Sequence, residues 1–217
     1  MRLENTEGLE IGGPTPYFVK SGLVPLYPIL SRVDHCNISR ENFNLQKLRC
    51  REEWEIDLLT LDASNTDNLG RSYGVIFNSH VLEHIANPLK AIKSWKKNLA
   101  PGGYLLLILP YKKNTFDHRR KLTSFAHLLE DYTNQTKEDD MSHLPEILKF
   151  HDIDKDPSYQ EFEEFKEVAL RNPDHRILHH HVFDPLLARE TVEWAGGNVL
   201  MSELVDPISF LILAQFP

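Results

Sequence analysis

The chain has 217 residues, 41% of them hydrophobic and 26% charged, with a formal net charge of −8. That length and apolar content support a single globular domain spanning 1–217, and the negative balance disfavours nucleic acid or an anionic membrane surface as a partner. Only two cysteines occur, Cys36 and Cys50, in no metal-type spacing, so they read as reduced thiols of a soluble, cytoplasmic protein. The start, MRLENTEGLE, carries charge at once and no apolar signal segment, and the longest apolar run, YLLLILPY, is too short for a membrane span.

Strand-like runs then alternate with helical patterns, which predicts an α/β sheet. GLEIGG (8–13) is a short apolar segment closed by two glycines, and SRVDHCN (31–37), IDLLTLDA (56–63), GVIFNSHV (74–81) and YLLLILP (104–110) follow. Each is bounded by turn residues and several end on polar side chains, as buried parallel strands do when ligand chemistry sits at their C-terminal ends. Between the first two, YFVKSGLVPLYPIL holds two prolines and makes a poor helix. In PLKAIKSWKKNLAPGG, Leu89, Ile92, Trp95 and Leu99 recur at helical spacing after Asn87-Pro88, and Ala100-Pro101-Gly102-Gly103 ends the helix. Near the C-terminus PLLARETVEWAG reads as an amphipathic helix, and GNVLMSELV and ISFLILAQF pair as antiparallel strands across Asp206-Pro207. Residues 112–181 form a long insertion between the fifth strand and this last helix, with helical pieces TSFAHLLEDY and YQEFEEFKEVAL and eight of the eleven histidines. An insertion of that length is usually functional, and here it predicts a substrate-facing lid.

GLEIGGP, VDHCN, LDAS and VIFNSHVLEHIANPLKAIKSWKKNLAPGGYLLLILP, in this order and spacing, resemble the class I S-adenosylmethionine-dependent methyltransferases. The match is to the type 11-like branch, with "LEH" after the fourth strand and "L-x-PGG" before the fifth. The resemblance implies a Rossmann-like, seven-stranded, mostly parallel sheet with helices on both faces and a C-terminal antiparallel hairpin. It implies S-adenosyl-L-methionine as cofactor, with Glu10, Gly12 and Gly13 at the glycine loop under the methionine moiety. Asp34 would take the ribose hydroxyls and Asp62 the adenine amino group, with Ala63 beside the ring. Asn78, Ser79 and His80 would adjoin the methionine moiety. The loop departs from G-x-G-x-G, since Pro14, Thr15 and Pro16 follow Gly13. A nicotinamide-dependent oxidoreductase would need G-x-G-x-x-G, which is absent.

SHVLEHI (79–85) invites a metal reading, because His80, Glu83 and His84 fall at i, i+3 and i+4 on one face of a helical turn. Small-RNA 2′-O-methyltransferases hold a divalent metal with a similar E-x-x-E-H stretch. Most relatives with "LEH" bind none there, and the expectation is no metal site, with His80 a cofactor neighbour. Lys112, Lys113, Arg119, Arg120 and Lys121 make a basic cluster suited to anchoring a phosphate or carboxylate of the substrate. In LHHHVF, His179 and His181 would share one face of an extended chain and His180 the other.

The segments NTFDHRR and HHHVFD resemble methyltransferases of surface-polysaccharide or sugar-modification pathways. The expected activity is therefore methyl transfer to a small polar acceptor, a hydroxyl of a saccharide, nucleotide-sugar or related metabolite. The base is expected on the insertion: His118, oriented by Asp117, or His180. The alternatives are a metal-assisted methyltransferase and a non-catalytic partner subunit that keeps the fold.

Overall fold

The strands are β1 (Glu7–Ile11), β2 (Arg32–Asn37), β3 (Asp57–Thr60), β4 (Tyr73–Ser79), β5 (Leu99–Pro110), β6 (Asn198–Asp206) and β7 (Ser209–Gln215). They come from a computed structural model that describes residues 3–50, 57–67 and 69–217. Met1, Arg2 and Ile56, the residue on which the third predicted strand opens, lie outside the described residues. The strands form one sheet in the order β3-β2-β1-β4-β5-β7-β6. The first five run parallel, β7 is antiparallel to β5, and β6 is antiparallel to β7. This is the Rossmann-like, mostly parallel sheet with an antiparallel C-terminal pair that the sequence predicts.

The helices are α1 (Arg40–Cys50), α2 (Pro88–Lys96), α3 (Phe125–Asn134), α4 (Leu144–Phe150), α5 (Phe162–Ala169), α6 (Asn172–His175) and α7 (Pro185–Trp194). Their starts follow local chemistry. Asn87, Ser124 and Asp184 each accept a hydrogen bond from the backbone N–H three residues on, and proline stands just inside α2 and α7. The apolar stripe of α2, Leu89, Ile92 and Trp95, is fully buried with α7 against one face of the sheet. The other face is covered by irregular chain rather than by a helix after β1: Phe18, Leu26 and Leu30 pack on Val75, Phe77, Leu106 and Ile108. Two proline-containing turns therefore do the covering there, as the poor helix pattern implies.

Two elements differ from expectation. The Pro101-Gly102-Gly103 turn is already part of β5, which starts at Leu99 and pairs with Tyr73 before a register shift. Gly102 takes φ +75°, so the turn signal marks an irregularity within a strand rather than its beginning. The second is α1, a mostly polar helix that buries only Phe43 and Cys50 and so has no periodic apolar signature.

The order of β1 and β4 places a switch point at the centre of the sheet, and a crevice opens there beyond the strands' C-terminal ends. The insertion 112–181 carries α3 to α6 around a small cluster of its own, Ile147, Phe165, Ala169 and Leu178. Among the described residues no helix is long and apolar enough to cross a membrane.

Candidate active site

Two contiguous cavities occupy the crevice. The first, about 330 Å³, is framed by Gly12, Asn37, Asp62, Ala63, Val81 and Arg176. The second, about 440 Å³, is framed by Thr115, Phe116, Asp117, Tyr159 and His179. Gln46, Arg49, His80, His84 and Arg176 border both, so the two are halves of one cleft.

The glycine loop requires its glycines for two separate reasons. Gly12 has φ +77°, and a Cβ there would collide with the Val81 side chain. At Gly13 a Cβ would strike the Glu10 carboxylate. Glu10 itself is fully buried beneath the loop, accepting a hydrogen bond from Tyr27 Oη at 2.5 Å with His35 Nδ1 2.9 Å from the same oxygen. Burial and the neighbouring Glu10 raise the Tyr27 pKa strongly, so the phenol stays protonated and donates. Glu10 thus supports the loop from below rather than bordering the cavity.

The structure corrects the position assigned to Asp34. β2 continues three residues beyond it to Asn37, because the chain keeps pairing with β1 and β3. Asp34 is fully buried in mid-strand, where Tyr73 Oη and Arg71 Nη1 each donate at 2.7 Å and Arg32 Nε at 2.8 Å. It has no free oxygen for a ribose. Asn37 stands at the strand end instead, donating to Gly13 O at 3.1 Å and to Gln46 Oε1 at 2.9 Å.

Asp62 and Ala63 lie just after β3 and border the first cavity, where the sequence puts them. Their loop is pinned to α2: Trp95 Nε1 donates to Ala63 O at 2.8 Å, and the backbone N–H of Thr66 donates to Ser94 Oγ at 2.8 Å. Asp62 Oδ2 accepts from Arg176 at 3.0 Å, and the same guanidinium reaches Glu138 at 2.5 Å. The insertion is thereby tied across the cavity mouth. Glu138, pushed up to about 7 by burial, also accepts from the Ala86 N–H.

After β4, Asn78 and Ser79 are buried and border neither cavity, and the Asn78 amide has no protein partner. His80 turns the chain with φ +55°, an unusual conformation for a non-glycine residue. Its Nε2 lies 3.1 Å from Ser209 Oγ and its ring stacks on Tyr17. Burial and nearby His179 lower its pKa to about 4, so the ring is neutral. Glu83, 1% exposed, has neither carboxylate oxygen hydrogen-bonded to protein. Its Oε1 is 3.6 Å from His80 Nδ1 and 4.0 Å from both His84 Nε2 and His179 Nε2. Burial pushes the Glu83 carboxyl up to about 7 and holds His84 well below the ordinary imidazole value.

The base expected from the insertion is also corrected. Asp117 does not orient His118. His118 Nε2 meets Asp152 Oδ2 at 2.7 Å, and His118 borders neither cavity. Asp117 Oδ2 instead holds His179 Nδ1 at 2.5 Å, and its other oxygen accepts from Arg120 at 2.9 Å. His180 turns away from the cleft, 99% buried, with Nε2 3.4 Å from Asn172 Nδ2. His179 and His181 both line a small void beside Glu83 and Asp117 that His180 does not reach, with the His181 ring against Ala86 O at 3.2 Å. Burial opposes protonation of His179, but the Asp117 carboxylate and then Glu83 outweigh it and raise its pKa. Burial would lift Asp117, yet His179 and Arg120 bring it down to about 2. The basic cluster is largely consumed internally: buried Arg120 also donates to the carbonyls of His179 and His180, and Lys112 donates to His118 O. Asn37, Gln46 and Arg176 carry no signal in the sequence, while His179 belongs to the histidine triplet that does.

The cavity suits the expected cofactor: a loop without Cβ atoms for close approach, an amide at the end of β2 and a carboxylate after β3. A family model described as "Methyltransferase domain" matches residues 16–184. Three solved structures share the fold. The N-methyltransferase NodS from Bradyrhizobium japonicum WM9, in complex with S-adenosyl-L-homocysteine, is 14% identical with TM-score 0.53, covering 99% of this chain and 79% of its own. A SAM-dependent methyltransferase from Aquifex aeolicus is 14% identical with TM-score 0.54, covering 99% and 85%. An O-methyltransferase family 2 protein from Planctomyces limnophilus, in complex with apigenin, is 14% identical with TM-score 0.50, covering 99% and 52%. A search of curated protein sequences returns no match.

Proposed function

The chain belongs to the methyltransferase-domain family and its cofactor is S-adenosylmethionine; from that premise we propose that it methylates a hydroxyl of a saccharide or nucleotide-sugar held in the second cavity. The observation that carries this reading is the Asp117–His179 pair, Oδ2 to Nδ1 at 2.5 Å, at the border of that cavity. Bound S-adenosylmethionine supplies an electrophilic methyl group on a sulfonium, and the chain's work is alignment and removal of the acceptor's proton. His179 takes that proton on Nε2. Asp117 fixes the Nδ1–H tautomer and stabilises the imidazolium that forms. Phe116 and Tyr159 offer ring faces, and Asn114, Thr115 and Ser158 offer hydrogen-bonding groups, a mixture that suits a polyol ring. Asn37 and Gln46, which border the first cavity, would take the ribose hydroxyls, and Asp62 the adenine amino group. Arg176 closes over them from the insertion, which acts as a lid.

The test is methyl transfer from isotope-labelled S-adenosylmethionine to a panel of monosaccharides and nucleotide-sugars, read by mass spectrometry. His179→Ala should lower turnover by about 10²–10⁴ with S-adenosylhomocysteine affinity near wild type, while His118→Ala stays near the wild-type rate. Because the His179 pKa is raised, turnover should climb as pH passes upward through a value above the ordinary imidazole range. A panel in which only amines are methylated, or a wild-type rate in His179→Ala across the pH range, overturns the reading.

Glu83 favours a second reading. An unbonded, buried carboxylate amid three imidazoles is also a set of metal ligands, and Glu83, His84 and His179 place ligand atoms within 4.8 Å of one another. A divalent ion there would bind the acceptor oxygen and lower its pKa. Activity lost to a chelator, restored by manganese or zinc, and missing from His84→Ala would make His179 a ligand instead of the base.

A further inference from the structure

Three histidines that the cleft does not use converge elsewhere in the insertion. His127 stands on α3, His143 just before α4, and His181 in the extended segment leading to α7. One ligand atom from each lies within 4.8 Å of the others. His127 Nε2 and His143 Nε2 are 3.1 Å apart. Asp131, one helical turn after His127, places Oδ2 3.4 Å from His127 Nε2 and 3.7 Å from His181 Nε2. That oxygen is buried and accepts no hydrogen bond. We propose that His127, Asp131, His143 and His181 form a structural zinc site that ties three segments of the insertion to one another.

The argument rests on distances and donors. Four ligands about 2.0–2.1 Å from a tetrahedral ion stand roughly 3.3 Å from one another, and three of the approaches here, 3.1, 3.4 and 3.7 Å, lie near that value. Without an ion, His127 and His143 aim two Nε2 atoms at each other, and only one can donate. Asp131 Oδ2 is left unbonded beside them at a cost. A divalent cation would give that oxygen a partner and take a lone pair from each ring in place of their single hydrogen bond. The outer contacts also have the expected form. Asp131 Oδ1 accepts from Thr136 Oγ1 at 2.9 Å, which orients the carboxylate, and Asn87 Nδ2 donates to the Asp131 backbone carbonyl at 2.9 Å, which ties this turn of α3 to the start of α2. The ring of His181 must change tautomer, because its Nε2 lies 3.2 Å from Ala86 O; ligation moves that proton to the buried Nδ1.

The chemistry is structural rather than catalytic. The four side chains are a closed N₃O set with no position open to substrate. Neither His127, Asp131 nor His143 borders the two halves of the cleft. What the ion would join are three segments distant in sequence, all beside Ala86 and the Glu83 turn, where the backbone N–H of His181 also reaches Glu83 O. The site therefore sets the position of the segment that carries His179, and this consequence rests on the proposed role of the cleft.

The full chain, stripped with a chelator, is loaded with zinc alone, desalted and analysed by mass spectrometry for metal content, and in parallel with cobalt(II) for its absorption spectrum. Wild type should retain an equivalent of zinc that His143→Ala and His127→Ala lose and His84→Ala keeps, and cobalt should give the intense visible bands of a tetrahedral site. Zinc should raise the melting temperature of wild type and His84→Ala but not of His143→Ala. If wild type retains no zinc and shows no tetrahedral cobalt spectrum, the site does not exist, whether or not the variants fold. Equal zinc in wild type and His143→Ala, or loss only in His84→Ala, moves the ion to the cleft and overturns the proposal. None of these readouts requires methyl transfer, so the cleft reading can fail while this one stands.

Discussion

Asp34→Ala separates a structural carboxylate from a cofactor-binding one. In the fold Asp34 has no exposure and receives three hydrogen bonds, from Tyr73 Oη, Arg71 and Arg32. Removing it strands the Tyr73 hydroxyl in the interior, where an unsatisfied donor costs about 1–3 kcal/mol. The two guanidinium groups suffer less, because their side chains are 38% and 44% exposed and can turn to water. Each such exposed pair is worth about 0–1 kcal/mol, for a total of about 1–5 kcal/mol. Urea unfolding measures the loss, and the double variant Asp34→Ala/Tyr73→Phe should recover about 1–2 kcal/mol of it by removing the orphaned hydroxyl. Burial alone would raise the Asp34 pKa, but its donors hold it below the usual carboxylate range. The stability it supplies is therefore complete above an unfolded pKa of about 3.9 and is lost as pH falls through the lower folded value, so the variant's deficit should close in acid. Affinity for S-adenosylhomocysteine by calorimetry should stay within about twofold. Unchanged stability combined with a tenfold or greater loss of affinity refutes the reasoning and returns Asp34 to the ribose.

Asn37→Ala, which removes the amide at the true end of β2, should weaken S-adenosylhomocysteine binding by about two- to tenfold in the same calorimetry. Gly13→Ala drives a methyl group into the Glu10 carboxylate and should cost about 1–3 kcal/mol in thermal or urea unfolding, with cofactor binding impaired as well. Glu83→Gln tests the buried carboxylate whose two oxygens have no hydrogen bond to protein, in chelator-treated protein. Because burial raises its pKa to about 7, the wild-type group favours folding fully below an unfolded value of about 4.3 and loses that contribution as pH rises through about 7. The variant should gain in relative melting temperature between about pH 5 and 8; a constant difference across that range would show that Glu83 has a partner.

The sheet was legible because its strands are apolar and bounded by glycine, proline or asparagine, and the β4–α2–β5 unit carries its caps in the sequence. The errors fall where a polar side chain has two possible reasons to exist. Asp34 looks like a strand end because acids commonly stop strands, yet its partners Arg71 and Tyr73 sit 37 and 39 residues away and no local pattern announces them. Asp117 beside His118 looks like a catalytic pair, but its real partner, His179, is 62 residues distant. Adjacent side chains in a tight turn diverge, whereas an insertion that folds back brings together groups from its two ends. α1 was invisible for a related reason: it buries two residues and offers no apolar period, only the Ser39 cap, whose hydroxyl accepts from the Asn42 N–H.

The histidine excess of the insertion follows from how little apolar surface that segment encloses. Its own cluster has four fully packed members, Ile147, Phe165, Ala169 and Leu178. A segment of this size with so small a core needs other means to hold one conformation. Paired imidazoles supply them: His118 meets Asp152, His151 meets Asp156, and His179 meets Asp117. Each pair is specific in direction and its strength depends on protonation, unlike the sheet's apolar packing. Two of the three pairs, His151 with Asp156 and His179 with Asp117, border the second cavity, and His179 also lies against His84, with ring centroids 4.5 Å apart. The same chemistry that gives the insertion its shape thus brings one of its imidazoles, His179, against His84 at the edge of the cleft.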